Sequence, residues 1–336
     1  MGCKEVKRFL GVDGGGSKTD FLLIDESGRV LAARREGSAY YPQIGVDALQ
    51  SMVVQGIRGT LAQASVSPAD TTFACIGLPA YGEDSALIAR LDDIAASVLP
   101  LQRYRSVNDM VCGWAAALAG RDGINIVAGT GSIGYGEFEG RSARAGGWGE
   151  IFSDEGSAYW IAREALNLFS RMSDGRMAKA PLYEMMREHF DVRVDFDVSA
   201  AVYGPPPMNR SDFAALAPIV SSAASAGDVE SRRILAAAAN ELAAIVHAIR
   251  DQLDVPPPLP LPVSYSGGMF HTDSLLTPLL EASLQRSGRR YEFAPPRLAP
   301  RAGAALYAAK LAGAPLTPQA VAQLMCTHAE VLEEVN

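Results

Sequence analysis

Residues 9–25 read FLGVDGGGSKTDFLLID, two strand-length apolar runs joined by a glycine-rich turn. Gly11 and Gly16 have the spacing of a Walker loop, but Ser17 separates Gly16 from Lys18. A Walker loop and a Rossmann fingerprint both need a helix after the glycines, and here an aromatic and aliphatic strand follows. The pattern therefore predicts a hairpin of strand, glycine turn and strand.

The turn of this hairpin predicts a phosphate-binding site, because successive glycines let backbone N–H groups approach phosphate oxygens. An ordinary hairpin turn is the alternative interpretation. The residues assigned to the site are Asp13, Gly14, Gly15, Gly16, Ser17, Lys18 and Thr19.

Strands and helices alternate after the hairpin, which indicates a mixed β-sheet flanked by helices. We expect helices at residues 46–64 and 84–98, and strands at residues 72–78 and up to residue 107. The strand pattern restarts at residue 124, residues 157–253 are mainly helical, and a last helix covers residues 317–334. We predict an N-terminal lobe over residues 1–118, joined by a helix near 302–311, a C-terminal lobe over 119–300, and a helical tail over 312–336.

A second glycine turn lies at the start of the predicted C-terminal lobe, again between two strands. Two such hairpins, each leading a lobe, are what a nucleotide held in an interdomain cleft would need. The second set of phosphate contacts comprises Gly129, Thr130, Gly131 and Ser132. A third segment, a strand running into Gly267 and Gly268, suits close approach by adenine and ribose, and a plain strand-to-helix turn is its alternative.

Composition excludes several classes of protein. The chain of 336 residues is 48% hydrophobic with a formal charge of −8, which disfavours nucleic acid as a partner. No apolar run reaches the roughly 18 residues of a membrane helix, so we expect a cytoplasmic protein with no membrane contact. The four cysteines are scattered, which predicts packing residues and not a disulfide framework or a zinc site; they are Cys3, Cys75, Cys112 and Cys326.

The three glycine segments, in this order, resemble the phosphate-1, phosphate-2 and adenosine motifs of the superfamily that contains sugar kinases, actin and heat-shock chaperones. Residues 146–160, GGWGEIFSDEGSAYW, resemble more closely the N-acetylglucosamine kinases and their relatives, the BadF/BcrA-type ATPases. The resemblance implies an α/β protein with the two-lobed, actin-like (ribonuclease H-like) ATPase fold. It also implies ATP and Mg²⁺ as cofactors, an amino sugar as substrate and a homodimer.

Asn108 and Asp109 follow a short strand and precede a helix, at the strand end where open α/β sheets bind ligands. Phosphoryl transfer needs one base oriented on the attacking hydroxyl. We predict that Asp109 is this catalytic base, in agreement with the resemblance, and that Asn108 and Asp109 contact the substrate. The alternative for Asp109 is a helix N-cap. Asp13 is the predicted Mg²⁺ residue, through water, and a turn-stabilising role is its alternative.

The resemblance also implies a sugar pocket formed by Gly147, Trp148 and Asp154. The alternative for Trp148 is a core residue. The alternative for Asp154 is the cap of a helix that begins near Ser157. N-acetylglucosamine kinases carry an Asn in the loop that here reads GSAYYP over residues 37–42, so Tyr40 is assigned to the sugar mouth instead. Polar pairing discriminates sugars sharply, and glucosamine or a muramic acid derivative are further candidate substrates.

Two other functions fit parts of the pattern. An ATPase activator of a radical dehydratase needs cysteine thiolates for an iron–sulfur cluster, and the scattered cysteines offer no matched pair. A sugar-sensing regulator would keep the pocket without catalysis, but such proteins often carry a DNA-binding helix-turn-helix, and we expect none here because the sequence has no basic patch. The resemblance implies an ATP-dependent hexosamine kinase, which we expect to act at the 6-hydroxyl.

Overall fold

The computed structural model describes residues 6–270 and 274–334, and their side chains as far as residue 326. Its strands are β1 (Arg8–Gly14), β2 (Thr19–Asp25), β3 (Val30–Glu36), β4 (Phe73–Leu78), β5 (Tyr104–Asn108), β6 (Gly123–Ala128), β7 (Ser132–Phe138), β8 (Arg141–Gly146), β9 (Leu261–Ser266) and β10 (Tyr291–Phe293). Its helices are α1 (Tyr41–Ile44), α2 (Val46–Gln63), α3 (Ile88–Asp92), α4 (Asp109–Leu118), α5 (Ala158–Ser173), α6 (Pro181–His189), α7 (Asp197–Tyr203), α8 (Arg210–Ala214), α9 (Ala217–Ser225), α10 (Val229–Gln252), α11 (Leu276–Gln285), α12 (Pro300–Leu311) and α13 (Pro318–Glu334).

The chain folds as two compact units. Unit 1 comprises Met1–Asp122 and Pro295–Asn336, and unit 2 comprises Gly123–Ala294. These boundaries differ by a few residues from those expected at 118 and 300. The backbone N–H of Arg297 donates to the carbonyl of Ala117 at 3.2 Å, which attaches the segment before α12 to α4. The tail is also part of unit 1, and Leu324 on α13 is fully buried there.

The sheet of unit 1 has the order β3-β2-β1-β4-β5. The first three strands pair antiparallel, as a hairpin and a meander, and β4 and β5 add in parallel to β1. The carboxyl ends of β1, β4 and β5 therefore lie at one edge, where Asp13 pairs with Gly77 and Leu78 pairs with Asn108. This edge carries the residues with predicted chemistry.

Unit 2 repeats the same plan with the order β10-β9-β6-β7-β8. Strands β6, β7 and β8 pair antiparallel, and β9 and β10 add in parallel to β6. The restart of the strand pattern near residue 124 was predicted, whereas β8 and the three-residue β10 were not. Helices α5 to α10 form a large insertion after β8, and they pack into one apolar core with the sheet.

Close backbone packing places α12 against the sheet of unit 1. A Cβ atom at Gly11 would lie 2.2 Å from the backbone nitrogen of Ala305, so only glycine permits this contact. Leu306 and its alanine neighbours on α12 pack with Phe9, Leu22 and Ile24 in a second core layer. The glycine at position 11 therefore has a packing function and not a phosphate-binding one.

The helix predicted over residues 84–98 is wrong in extent. The α-helix covers only Ile88–Asp92, with a 3₁₀ turn before it and a series of turns after it. Ser106 donates its hydroxyl to the carbonyl of Leu91 at 2.8 Å, and the N–H of Ile94 bonds to the same carbonyl. The Leu91 carbonyl thus accepts one tertiary and one local hydrogen bond in place of the bond that a continuing α-helix would make there.

The cysteines have different environments. Cys75 and Cys112 are fully buried, as expected of packing residues, but Cys326 is exposed, so that prediction is wrong for Cys326. Cys3 lies outside the described residues. No helix in the described part of the chain has both the length and the apolar composition to cross a membrane.

Candidate functional site

The first glycine turn is closed by a hydrogen bond from the N–H of Gly15 to the carbonyl of Lys18 at 2.9 Å. Gly16, Ser17 and Lys18 at its tip are exposed. Within the described residues, the backbone N–H groups of Gly16 and Ser17 donate to no other protein group. The tip therefore has free donors of the kind that bind phosphate.

Tyr40 lies in a loop that is tied to this turn. The N–H of Ala39 donates to the carbonyl of Gly15 at 2.9 Å, and the hydroxyl of Thr19 donates to the carbonyl of Gly37 at 2.7 Å. The Tyr40 side chain is exposed, whereas the neighbouring Tyr41 is buried and donates to the carbonyl of Ala80. Thr19 thus holds the loop instead of facing a ligand, and Tyr40 remains available to one.

Asp13 and Asp109 lie close together at the end of β4, since the charge of Asp109 contributes to the raised pKa of Asp13. Gly77 pairs with Asp13, and a Cβ atom on Gly77 would lie 3.4 Å from the Cα atom of Asp109 and 2.4 Å from the sulfur of Cys112. The absence of a side chain at Gly77 lets the two acids approach. Asp20, which pairs with Asp13 on β2, lies on the same side of the sheet.

Burial is the main cause that raises the pKa of Asp13 to about 8, and the charges of Asp109 and Asp20 add to it while Lys18 opposes it. Burial also raises the pKa of Asp109 to about 6, with a further rise from Glu83 and an opposing effect from the N–H of Met110. A carboxyl with a pKa near the working pH accepts protons effectively. Such shifts are typical of functional sites.

Asn108 is the N-cap of α4, because its side-chain oxygen accepts the N–H of Met110 at 3.2 Å. Its amide nitrogen donates to the carbonyl of Tyr81 at 3.0 Å. The alternative that Asp109 is the cap is thereby excluded, and the Asp109 carboxylate is not needed to start the helix. Both polar atoms of Asn108 have a structural partner, and its contact with substrate stays a prediction.

The second glycine turn rests on the N-terminus of α5. The N–H groups of Ala158 and Tyr159 donate to the carbonyls of Gly129 and Thr130 at 2.9 and 3.3 Å. In the part of the chain that the structure describes, the N–H groups of Thr130 and Gly131 have no protein acceptor. The carbonyls of the turn are thus bonded to the helix, and two N–H groups remain for a ligand.

Asp154 and Arg210 cover this second turn. The Asp154 carboxylate is 2% exposed, accepts the N–H of Ser132 at 3.4 Å and pairs with the guanidinium of Arg210. Arg210 also pairs with Glu150, its Nε atom 3.3 Å from the carboxylate. Burial raises the pKa of Asp154, and Arg210 opposes that rise. The alternative role of Asp154 as a helix cap is wrong, since Ser157 caps α5.

The Gly267-Gly268 segment lies beside the second turn, as a shared nucleotide site requires. A Cβ atom on Gly267 would lie 2.4 Å from the carbonyl oxygen of Ala128, and one on Gly129 would lie 3.9 Å from the nitrogen of Gly268. Strands β6 and β9 pair in parallel and end together at this point. The predicted phosphate and adenosine residues of unit 2 are therefore neighbours.

The loop after β8 exposes Trp148, whose side chain is 71% exposed, so a core role for it is wrong. Gly147 has a φ of +70° and packs on Ile133, a conformation and a contact that favour glycine. A cavity of about 480 Å³ lies beside this loop. Its lining consists of Ala145, Gly146, Trp148, Phe152, Ser153, Glu155, Glu241, Ala244, Ile245 and Ala248.

Each unit thus gathers its own predicted site residues. Whether the two turns bind one triphosphate stays a prediction. Asp20 and Arg210 are site residues that were not predicted from the sequence, although the hairpin register could have placed Asp20 opposite Asp13. No local sequence pattern predicts a role for Arg210, because it lies 56 residues from its partner Asp154 in the chain.

A sequence model of the BadF/BadG/BcrA/BcrD ATPase family matches residues 10–308. The chain belongs to this family. The expected resemblance is thereby confirmed, and it covers both units.

The relatives include sugar kinases. The chain is 31% identical over 253 residues to the N-acetylmuramic acid/N-acetylglucosamine kinase of Clostridium acetobutylicum, covering 74% of this chain and 81% of that one. It is 26% identical over 309 residues to the N-acetyl-D-glucosamine kinase of Dictyostelium discoideum, covering 89% of this chain and 97% of that one.

A solved structure of a candidate N-acetylglucosamine kinase from Chromobacterium violaceum has a TM-score of 0.67 and 27% identity. The match covers 91% of this chain and all of that one. A hexokinase structure from Thermus thermophilus, at 16% identity and a TM-score of 0.56, shows the fold alone. Together with the two mixed sheets, these likenesses confirm the predicted actin-like ATPase fold.

Proposed function

We propose that the chain is an ATP-dependent kinase that phosphorylates the 6-hydroxyl of a hexosamine, N-acetylglucosamine or a close relative such as glucosamine. The environment of Asp109 is the main observation that supports the proposal. It lies at the carboxyl edge of the unit 1 sheet, is not the helix cap, and has its pKa raised to about 6. Those properties suit a base in phosphoryl transfer.

In the proposed reaction the sugar hydroxyl gives its proton to the Asp109 carboxylate. A bond forms between the sugar oxygen and the γ-phosphorus, the bond from that phosphorus to the bridging oxygen breaks, and ADP leaves. The free N–H groups of the glycine turns, at Gly16 and Ser17 and at Thr130 and Gly131, hold phosphate oxygens. Gly267 and Gly268 give the adenosine room to approach.

Asp13 fits Mg²⁺. Asp13 is a carboxyl whose pKa is raised to about 8, mainly by burial and further by the neighbouring acids Asp109 and Asp20, and a cation beside it would stabilise its ionised form. Mg²⁺ usually keeps several waters and binds through one or two carboxylates plus phosphates, so a lone Asp13 is sufficient. When bound, the ion neutralises charge on the phosphates. Lys18 at the turn tip adds a second positive charge.

The sugar contacts of the proposal are Trp148 as an aromatic wall, Gly147, Asp154, Tyr40 and Asn108. Asp154 meets a sugar hydroxyl only at an oxygen it already shares with Arg210 or Ser132, which is possible because each carboxylate oxygen accepts two hydrogen bonds. The named substrates of the relatives, N-acetylglucosamine, N-acetylmuramic acid and, for a Vibrio cholerae protein, glucosamine, define the class to be tested.

An iron–sulfur activator is less well supported. Cys112 and Cys75 do lie together, since a hydrogen bond between the two thiols contributes to the raised pKa of Cys112, but both are fully buried in unit 1. A cluster shared between two subunits needs thiolates at the surface. A colourless purified protein would agree with the kinase, and a brown, iron-containing one would favour the activator.

The experiment is a coupled ADP-release screen of the purified protein with ATP and Mg²⁺. N-acetylglucosamine, glucosamine, N-acetylmuramic acid and N-acetylmannosamine are compared with glucose as a control. We expect release that depends on one hexosamine, with little release on glucose, and no hexosamine stimulation would refute the proposal. The homodimer and the cytoplasmic location stay predictions.

A further inference from the structure

Arg210 is held in a fixed position on the second glycine turn. It is the first residue of α8, whose start is set by reciprocal hydrogen bonds between Asn209 and Asp212. A Cβ atom on Gly131 would lie 2.4 Å from the Arg210 Nη2 atom and 2.8 Å from Asp154 Oδ2. The guanidinium therefore packs directly on the turn, and a side chain at position 131 would displace it.

The partners of Arg210 differ in how firmly they hold it. Asp154 is 2% exposed and its carboxylate is itself bonded to Ser132, so this pair is protected from water. Glu150 is 33% exposed and 3.3 Å away, and an exposed ion pair of this kind is weak. Asp154 thus acts as an anchor, and Glu150 as a partner that can be replaced.

Arg210 has donors to spare for a ligand. A guanidinium carries five N–H groups, and the two carboxylates engage only Nε and Nη2. The side chain is 41% exposed. The guanidinium lies against Gly131, and the N–H groups of Thr130 and Gly131 also have no acceptor among the described residues.

We propose that Arg210 binds a phosphate of the nucleotide beyond the α-phosphate, remaining paired with Asp154 and exchanging Glu150 for the phosphate oxygens. The proposal rests on the proposed function, in which the turn at residues 129–132 holds ATP. Planar, bidentate donation to phosphate is the chemistry for which arginine is suited, and lysine does not reproduce it.

The test is equilibrium binding of AMP, ADP and ATP to the full chain without sugar, by calorimetry, for the wild type and for Arg210→Gln, Arg210→Lys and Glu150→Gln. We expect R210Q to lose about tenfold or more in affinity for ADP or ATP but less than about twofold for AMP, a charge-assisted bond being lost. The affinity of R210K for ADP or ATP should lie between those of the wild type and R210Q. E150Q should bind ADP or ATP more tightly than the wild type, because a competing carboxylate is gone.

AMP is the internal control for folding. Equal losses for AMP, ADP and ATP in R210Q would mean a structural role and would overturn the proposal, as would unchanged ADP and ATP affinity. Hexosamine-dependent ADP release by the wild type separates these results from failure of the proposed function.

Discussion

The pH dependence of turnover follows from the environment of Asp109. Its pKa is raised from 3.8 to about 6, and only the ionised carboxylate can take the proton of the sugar hydroxyl. Activity must therefore rise with pH as the carboxyl loses its proton. With a pKa of about 6, the ionised fraction falls about tenfold between pH 7 and pH 5, whereas a carboxyl with the ordinary pKa of 3.8 would lose only about 6%.

The assay is kcat/KM for the active hexosamine from pH 5 to pH 8 with saturating ATP and Mg²⁺. ATP titrates in the same range, so the matched control is Glu83→Gln, which removes an exposed charge that raises the pKa of Asp109 and leaves ATP unchanged. The midpoint of the profile should move to lower pH in this variant. A profile that is flat down to pH 5, or identical profiles for E83Q and the wild type, would refute the reasoning.

Three further predictions concern the same site. The raised pKa of Asp13 means that its protonated carboxyl contributes stability that is fully present below pH 4 and is lost as the pH rises through about 8. Asp13→Asn should therefore have a higher free energy of unfolding in urea than the wild type at pH 8.5 without Mg²⁺, and an equal one at pH 3.5. Gly77→Ala should lower the free energy of unfolding by about 1–3 kcal/mol in the same assay, since its Cβ would lie 2.4 Å from the Cys112 sulfur. Adding Cys112→Ala should restore part of the loss, and an unchanged urea midpoint for G77A would contradict this packing. Trp148→Ala should raise the KM of the sugar about 3- to 10-fold without lowering the free energy of unfolding, and an unchanged KM would remove Trp148 from the sugar site.

Local patterns predicted the parts of the molecule that depend on local chemistry. The two glycine hairpins, the strand predicted to end at Val107 and the helix after it depend on turn residues and on strand and helix periods within about ten residues. Both sheets repeat one plan, and the restart near Gly123 was visible for the same reason. The order of the strands within each sheet needed the coordinates.

Long-range contacts account for what the sequence could not show. The helix expected over residues 84–98 ends early because Ser106, on a later strand, donates to the carbonyl of Leu91. Asp109 could not be separated from a helix cap until Asn108 was seen to occupy that position. Arg210 reaches the second glycine turn from a helical insertion, and no spacing in the sequence relates it to Asp154.

The most direct measurement of the central claim is the rate of hexosamine phosphorylation by Asp109→Asn beside its affinity for ADP. The variant keeps the size of the side chain but cannot accept the proton. We predict a fall in kcat of about 10²- to 10⁴-fold with ADP affinity nearly unchanged. Turnover at the wild-type rate in D109N would contradict the assignment of Asp109 as the base.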